Sequence, residues 1–252
     1  VIVLADDNTK SKKDARLDAQ IRIGGDAGAS EVVVLRAYGE AASDSESLIT
    51  GLLLPDAPVV AWWPSEAPEN PSQSSIGRIA GRRITDVGAQ KSPAEHLRKL
   101  ANNYSAGDSD FAWTRLTLWR AQLAVLLDQA PYEPVSAVEI TGSTDSPSVA
   151  LIGKWLELKL KAPVKFVKKN RDKAGHGIFQ IRLIRKSGEL SITRTVGDVA
   201  VLQQPGQPNR EIVLPSRTLR ECLAEDLRRL DADDMFGQVL TWGYRSKKGS
   251  KN

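Results

Sequence analysis

Cysteine occurs once in this chain, at Cys222, and histidine twice, at His96 and His176. A single thiol cannot close an internal disulfide, and this ligand set leaves zinc without its usual partners. No cofactor or metal site is therefore expected. No apolar run approaches the roughly 20 residues of a membrane span. The opening "VIVLADDNTK" has neither a basic leading region nor a cleavage site, so a cytoplasmic protein without a membrane partner is expected. The chain also lacks an initial methionine, and "VIVL" reads as a strand entered in mid-course. Upstream residues are expected.

Catalytic signatures are missing as well. There is no Gly-x-Ser-x-Gly elbow, and neither histidine has a recognisable partner motif: His96 sits in a surface-type helix and His176 in the loop "KAGHG". The stretch "IGGDAGASEVVV" brings Gly24, Gly25 and Gly28 together. It satisfies neither the P-loop nor the dinucleotide register and reads as a turn between strands. Asp108 and Asp110 flank a helix start and read as capping groups; Asp86, in "RRITD", reads as a partner for Arg82 or Arg83. No self-sufficient catalytic centre emerges.

What the chain does have is a globular balance, with 41% hydrophobic and 26% charged residues over 252 positions. That length suits one large domain or two ordinary ones. Its formal charge of +4 is unevenly spread. Residues 1–131 hold 14 Lys and Arg against 17 Asp and Glu, whereas the remainder holds 21 against 14. Between Lys154 and Lys186, 11 basic residues face only Glu157 and Asp172. Such a stretch is either a solvated face or an anion-binding one.

Periodicity divides the chain into an α/β domain over 1–131, an α+β domain over 132–243 and a basic disordered tail over 244–252. In the first, "VIVL" is a strand, "RLDAQIRI" alternates Leu17, Ala19, Ile21 and Ile23 inward, and "EVVVLRAYG" is a continuous β-branched run. Helical "SESLITGLLLPD" and buried-type "PVVAWW" follow, implying a largely parallel sheet with helices. Ser92 and Pro93 open the helix "SPAEHLRKLANNY". The segment "SAGDSDFAWTRLTLWRAQLAVLLDQ" carries Ala112, Leu116, Trp119, Leu123 and Leu126 at helical spacing. "APYEPV" breaks the pattern at Pro131 and Pro134. Beyond it stand the strand "SAVEITG" and the helix "SPSVALIGKWLELKL", with Val149, Ile152 and Leu156 inward. Short strands at hairpin spacing then imply an antiparallel meander. A closing helix, "SRTLRECLAEDLRRLD", is expected to bury Leu219, Leu223, Leu227 and Leu230.

Tryptophan and arginine concentrate in the first half: Trp62, Trp63, Trp113 and Trp119 share motifs with Arg82, Arg83, Arg115 and Arg120. These residue types dominate protein–protein hot spots because they bury large area at modest entropic cost. Trp62 and Trp63 are adjacent on a strand and point to opposite faces. One is expected to seal the sheet and the other to be offered outward.

Six segments, "RLDAQIRIGGDAGASEVVVLRAYG", "LLLPDAPVVAWWPSEAP", "GRRITD", "YSAGDSDFAWTRLTLWRAQLA", "DQAPYEPV" and "ALIGKWLELKL", resemble in order the OpcA family of glucose-6-phosphate dehydrogenase assembly proteins. The likeness spans nearly the whole chain apart from the loop Asp6–Asp14 and the tail. It implies a non-catalytic accessory protein that binds the dehydrogenase, favours its active oligomer and so supports NADPH production by the oxidative pentose phosphate pathway. It also implies that a segment precedes "VIVL". Thiol redox control, associated with some members, does not carry over to a chain with only Cys222. The expected contact surface is Trp62 or Trp63 with Trp113, Arg115 and Arg120, and Arg82, Arg83 and Asp86 nearby. Two other readings remain open on the residues alone. One is a sugar-phosphate sensor or enzyme with the arginines as clamp. The other is a nucleic-acid binder using Lys154–Lys186 with Phe166 and Phe179.

Overall fold

The computed structural model describes residues 1–6, 15–23, 31–39, 45–170 and 177–244. The glycine loop with Gly24, Gly25 and Gly28, the loop residues 7–14, His176 and the tail from 245 lie outside the described residues. The chain forms two compact units, Val1–Val59 with Gln73–Ala80 and Val60–Ser72 with Gly81–Asn252.

In the first unit, strands β1 (Ile2–Asp6) and β3 (Val32–Tyr38) pair in parallel, and β2 (Arg16–Arg22) closes antiparallel on β3. Val34, Leu35 and Ala37 of the central strand are buried. β2 departs from the expected inward alternation: Leu17 is 45% and Ile21 66% exposed, and Ala19 and Ile23 are exposed too. It is one of the two edge strands of the sheet, and its apolar side chains stand exposed. Helix α1 (Ser45–Thr50) is shorter than expected, because the chain turns after it and leaves Leu52 and Leu54 outside. Helix α2 (Ser75–Ile79) is capped by Ser74 and tied to α1 by an Arg78–Glu46 ion pair.

The second unit carries two sheets. Strands β4 (Val60–Trp62), β5 (Arg82–Thr85) and β6 (Asp108–Asp110) form a parallel sheet with β5 central, accompanied by helices α3 (Pro93–Asn103), α4 (Phe111–Thr114) and α5 (Thr117–Leu127). The long helix expected from Ser105 onward is a strand and two helices instead. The Asp110 carboxylate caps α4, and α5 buries Trp119, Leu123 and Leu126. A six-stranded sheet follows in the order β12-β11-β10-β9-β7-β8. It comprises β7 (Ala137–Gly142), β8 (Val164–Lys168), β9 (Ile178–Arg185), β10 (Gly188–Arg194), β11 (Val199–Gln203) and β12 (Arg210–Val213). Only the β7–β8 pairing is parallel, and the crossover between them contains helix α6 (Pro147–Leu160); β9 to β12 are the antiparallel meander. The fold is thus α/β in its parallel part and α+β in its antiparallel part.

A large core runs from Val87 through Leu123, Ile140 and Leu151 to Leu240, and a separate small cluster joins Ile84, Phe111 and Cys222. Each such Leu or Ile contributes about 1.5–3 kcal/mol through removal of apolar area from water. Helix α7 (Leu219–Arg228) breaks with expectation. Its buried residues are Cys222 and Asp226, while Leu219 is 44% and Leu227 46% exposed and Leu230, just beyond it, is also outside. Of the expected stripe only Leu223 packs inward, against Ile84, Phe111 and Cys222, and the polar anchoring of Asp226 accompanies it. Helix α8 (Asp234–Tyr244) then buries Phe236, Val239 and Leu240.

Candidate functional site

Arg82 and Arg83 are successive residues of β5, so their side chains leave the sheet on opposite faces. Both are buried. Arg82 donates to Asp226 at 2.5 Å and to the Asp231 carbonyl at 2.7 Å. Arg83 donates to Asp108 at 2.5 Å and to the Ala106 carbonyl. The Asp226 carboxylate also accepts from the Ser109 hydroxyl at 2.6 Å and the Thr114 hydroxyl at 2.7 Å. One aspartate on α7 is therefore bonded to β5, β6 and α4. Its place four residues after Cys222 puts both on one helical face.

Asp86, expected to pair with Arg82 or Arg83, pairs with Arg115 instead, accepting both guanidinium nitrogens at 2.8 and 2.7 Å. The neighbouring strand arginines already have Asp226 and Asp108. Asp86 also caps the short turn Val87–Ala89 through the Gly88 N–H. Asp110 lies at the centre of these groups, fully buried, accepting from the Thr85 hydroxyl at 2.6 Å and from the backbone N–H groups of Val87 and Ala112 at 2.9 and 2.8 Å. Burial pushes its carboxyl up to about 7, opposed by these hydrogen bonds. Burial also raises Asp108 despite its Arg83 partner.

Trp113 is 2% exposed. Its indole N–H donates to Asp233 at 2.8 Å, its ring lies 5.9 Å from Phe236, and the Arg120 guanidinium stacks 3.9 Å from its centroid. Asp233 in turn accepts from the Phe236 N–H at the start of α8. Trp113 and Arg120 thus bridge α4 and α5 to α8, with Arg120 half-buried above the ring. Trp119 is core, beneath Arg194 at 5.7 Å. On the edge strand β4, Trp62 is 38% exposed with its ring 6.1 Å from Phe111, and Trp63 is half-buried.

Of the eight expected contact residues, the structure therefore gathers Arg82, Arg83, Asp86 and Trp113 in the interior. Arg115, Arg120 and Trp63 lie part-way out, and Trp62 lies at the surface. The exposed leucines of α7 were missed because their spacing is that of a core stripe. Asp226 and Asp233 were missed because acidic residues in "AEDLRRLDADD" read as solvated. Only their fixed partners mark them.

Among the described residues, no group of three or more His, Cys, Asp or Glu could hold a metal ion, and no helix is long and apolar enough to cross a membrane. Burial pushes the Cys222 thiol up to about 11, which keeps it protonated and unreactive near neutral pH. The basic stretch is partly neutralised on the open face of the large sheet, where Arg182 pairs with Glu139 and Glu189 and Lys165 with Glu139. Phe179 is buried and Phe166 exposed, so the alternation needed for base stacking is broken.

Residues 1–102 match the family described as glucose-6-phosphate dehydrogenase subunit N-terminal domain, and residues 106–240 match its C-terminal domain. No curated protein matches the chain in sequence. Among solved structures, an oxidoreductase from Sinorhizobium meliloti is similar at 12% identity and TM-score 0.45, over 81% of this chain and 80% of that one. The 3-ketoreductase KijD10 from Actinomadura kijaniata, in complex with TDP-benzene and NADP, is similar at 10% identity and TM-score 0.43, over 80% of each chain. At these values the likeness bears on neither chemistry nor ligand.

Proposed function

We propose, since this chain belongs to the OpcA family of glucose-6-phosphate dehydrogenase assembly proteins, that it is a non-catalytic factor that binds that dehydrogenase and favours its active oligomer. The observation that carries the reading is the family match across both parts of the chain. The arrangement of the charged groups supports it. Asp86, Asp108, Asp110 and Asp226 are each occupied by arginine, hydroxyl or backbone donors, which is how carboxylates behave when they hold a scaffold together. Activation then follows from linkage: a protein that binds one state of an enzyme more tightly shifts the population toward it by its differential affinity, tenfold for each ~1.4 kcal/mol.

The proposed contact face centres on the accessible apolar groups, Trp62 of β4 and Leu219, Leu227 and Leu230 of and beside α7, with Trp63, Arg115 and Arg120 at its margin. The dehydrogenase is its occupant in this reading. Covering a Leu or Trp side chain releases about 1.5–3 kcal/mol, so two or three such contacts made in only one oligomeric state suffice for activation. In this reading the supply of NADPH rises only through the dehydrogenase. Calorimetric titration of the dehydrogenase with the wild-type chain and with Trp62→Ala and Leu227→Glu tests this surface. Each variant is expected to fold normally and to bind at least tenfold more weakly. Unchanged affinity in both variants would remove this face from the interface.

A further inference from the structure

We infer, on the assembly reading above, that Arg120 is a preformed receptor for one carboxylate, an aspartate or glutamate side chain that the dehydrogenase presents near the end of α7. α5 turns Trp119, Leu123 and Leu126 into the core. Arg120, one residue on from Trp119 and about 100° further round the helix, leaves that stripe and lies over the Trp113 ring, 3.9 Å from its centroid. The ring is buried and fixed by its own bond to Asp233. Stacking of this kind orders a guanidinium before any partner arrives.

No carboxylate touches this cation. Arg82, Arg83, Arg115 and Arg217 each hold a carboxylate, whereas Arg120 pairs with none among the described residues. Its Nε is buried with no partner, Nη2 donates to the Thr117 hydroxyl at 3.3 Å, and Nη1 has no hydrogen bond among the described residues. The carboxylates that act on it from a distance are engaged elsewhere. Asp233 accepts from the Trp113 indole and the Phe236 N–H, and Glu225 accepts from the Thr117 hydroxyl at 2.7 Å and from Arg217. Burial pulls the Arg120 guanidinium down from its ordinary value; Asp233 and Glu225 oppose that, and Arg229 adds repulsion. A cation drawn out of water without a contacting anion costs free energy, and groups held at such a cost concentrate at functional sites.

The surroundings select the anion. Asp233 and Glu225 repel added negative charge, so a singly charged carboxylate is accepted more readily than a phosphate dianion. A carboxylate also matches the planar guanidinium fork. Arg229, exposed just after α7 and near enough to repel Arg120, attracts the same incoming group. Leu227 and Leu230, on either side of Arg228 and Arg229 in the chain, stand exposed. Apolar contacts that exclude water from an ion pair raise its worth. That combination fits a protein surface carrying an acidic side chain better than a free acid.

The test is calorimetric titration of the dehydrogenase with the full chain and two variants, alongside thermal unfolding of each chain alone. Arg120→Met is expected to unfold at no lower temperature than wild type, since the unpaired charge is gone and the thioether keeps contact with the indole. It should bind the dehydrogenase at least about tenfold more weakly. Arg120→Lys keeps the charge without the fork, so its affinity should fall between the two. Wild-type affinity should also weaken more steeply with added salt than that of Arg120→Met. Full affinity in Arg120→Met, an equal salt slope, or a clear fall in its unfolding temperature, the mark of a scaffold residue, would overturn the receptor role and leave the assembly role standing. Absence of binding by the wild-type chain would overturn both.

Discussion

Replacing Asp226 with alanine should destabilise the second unit more than any surface substitution on α7. The carboxylate and the Arg82 guanidinium are 3% and 5% exposed and 2.5 Å apart. Breaking a buried pair from one side leaves an uncompensated charge and costs about 3–5 kcal/mol. The Ser109 and Thr114 hydroxyls also lose their acceptor, at about 1 kcal/mol each. The sum, roughly 5–7 kcal/mol, rivals the whole stability of an ordinary domain. Arg82→Met should cost about 3–5 kcal/mol by the same argument from the other side. The double variant Arg82→Met with Asp226→Leu strands no charge, so it should be far more stable than the two single costs added, with a coupling of about 3 kcal/mol or more. Urea denaturation followed by circular dichroism measures all four corners of the cycle. Single costs under about 1 kcal/mol, or simple additivity, would refute the view that this pair fastens α7 to β5.

Three further outcomes follow from the same network. Gly107 has φ +94°, and a Cβ there would stand 2.3 Å from the Gly81 carbonyl; Gly107→Ala should therefore lower the unfolding midpoint strongly, whereas Gly206→Ala, which meets no neighbour, should cost only its backbone strain. Asp110, raised to about 7 from an unfolded value of 3.8, holds its proton more tightly folded than unfolded; its contribution is present below about pH 4 and lost as pH rises through about 7. Stability should therefore fall between about pH 4 and pH 7 in the wild type, and Asp110→Asn should flatten that slope. Trp113→Ala should cost about 3–5 kcal/mol as a core truncation, while Trp62→Ala should cost under about 1 kcal/mol and act on partner binding instead; equal stability losses would reverse their assignment to core and surface.

The elements were legible where periodicity and caps agree. Ser92-Pro93 and Ser146-Pro147 mark helix starts that the structure keeps, and the alternating strands of the meander pair in register. What stayed hidden depends on contacts made far along the chain. α7 is amphipathic by its leucines, yet it turns Cys222 and Asp226 inward because Arg82, Ser109 and Thr114, more than a hundred residues earlier, supply the partners. β2 alternates as a core strand but forms the edge of its sheet. The arginine–tryptophan cluster was visible as composition. Its division into interior fasteners and a small exposed remainder was not, since strand register and ion-pair choice fix which way each side chain faces.

The most direct measurement is the activity and sedimentation of the cognate glucose-6-phosphate dehydrogenase at increasing molar ratios of this protein. The account predicts a saturable rise in activity together with a co-sedimenting complex. An unchanged rate with the two proteins sedimenting separately would contradict it.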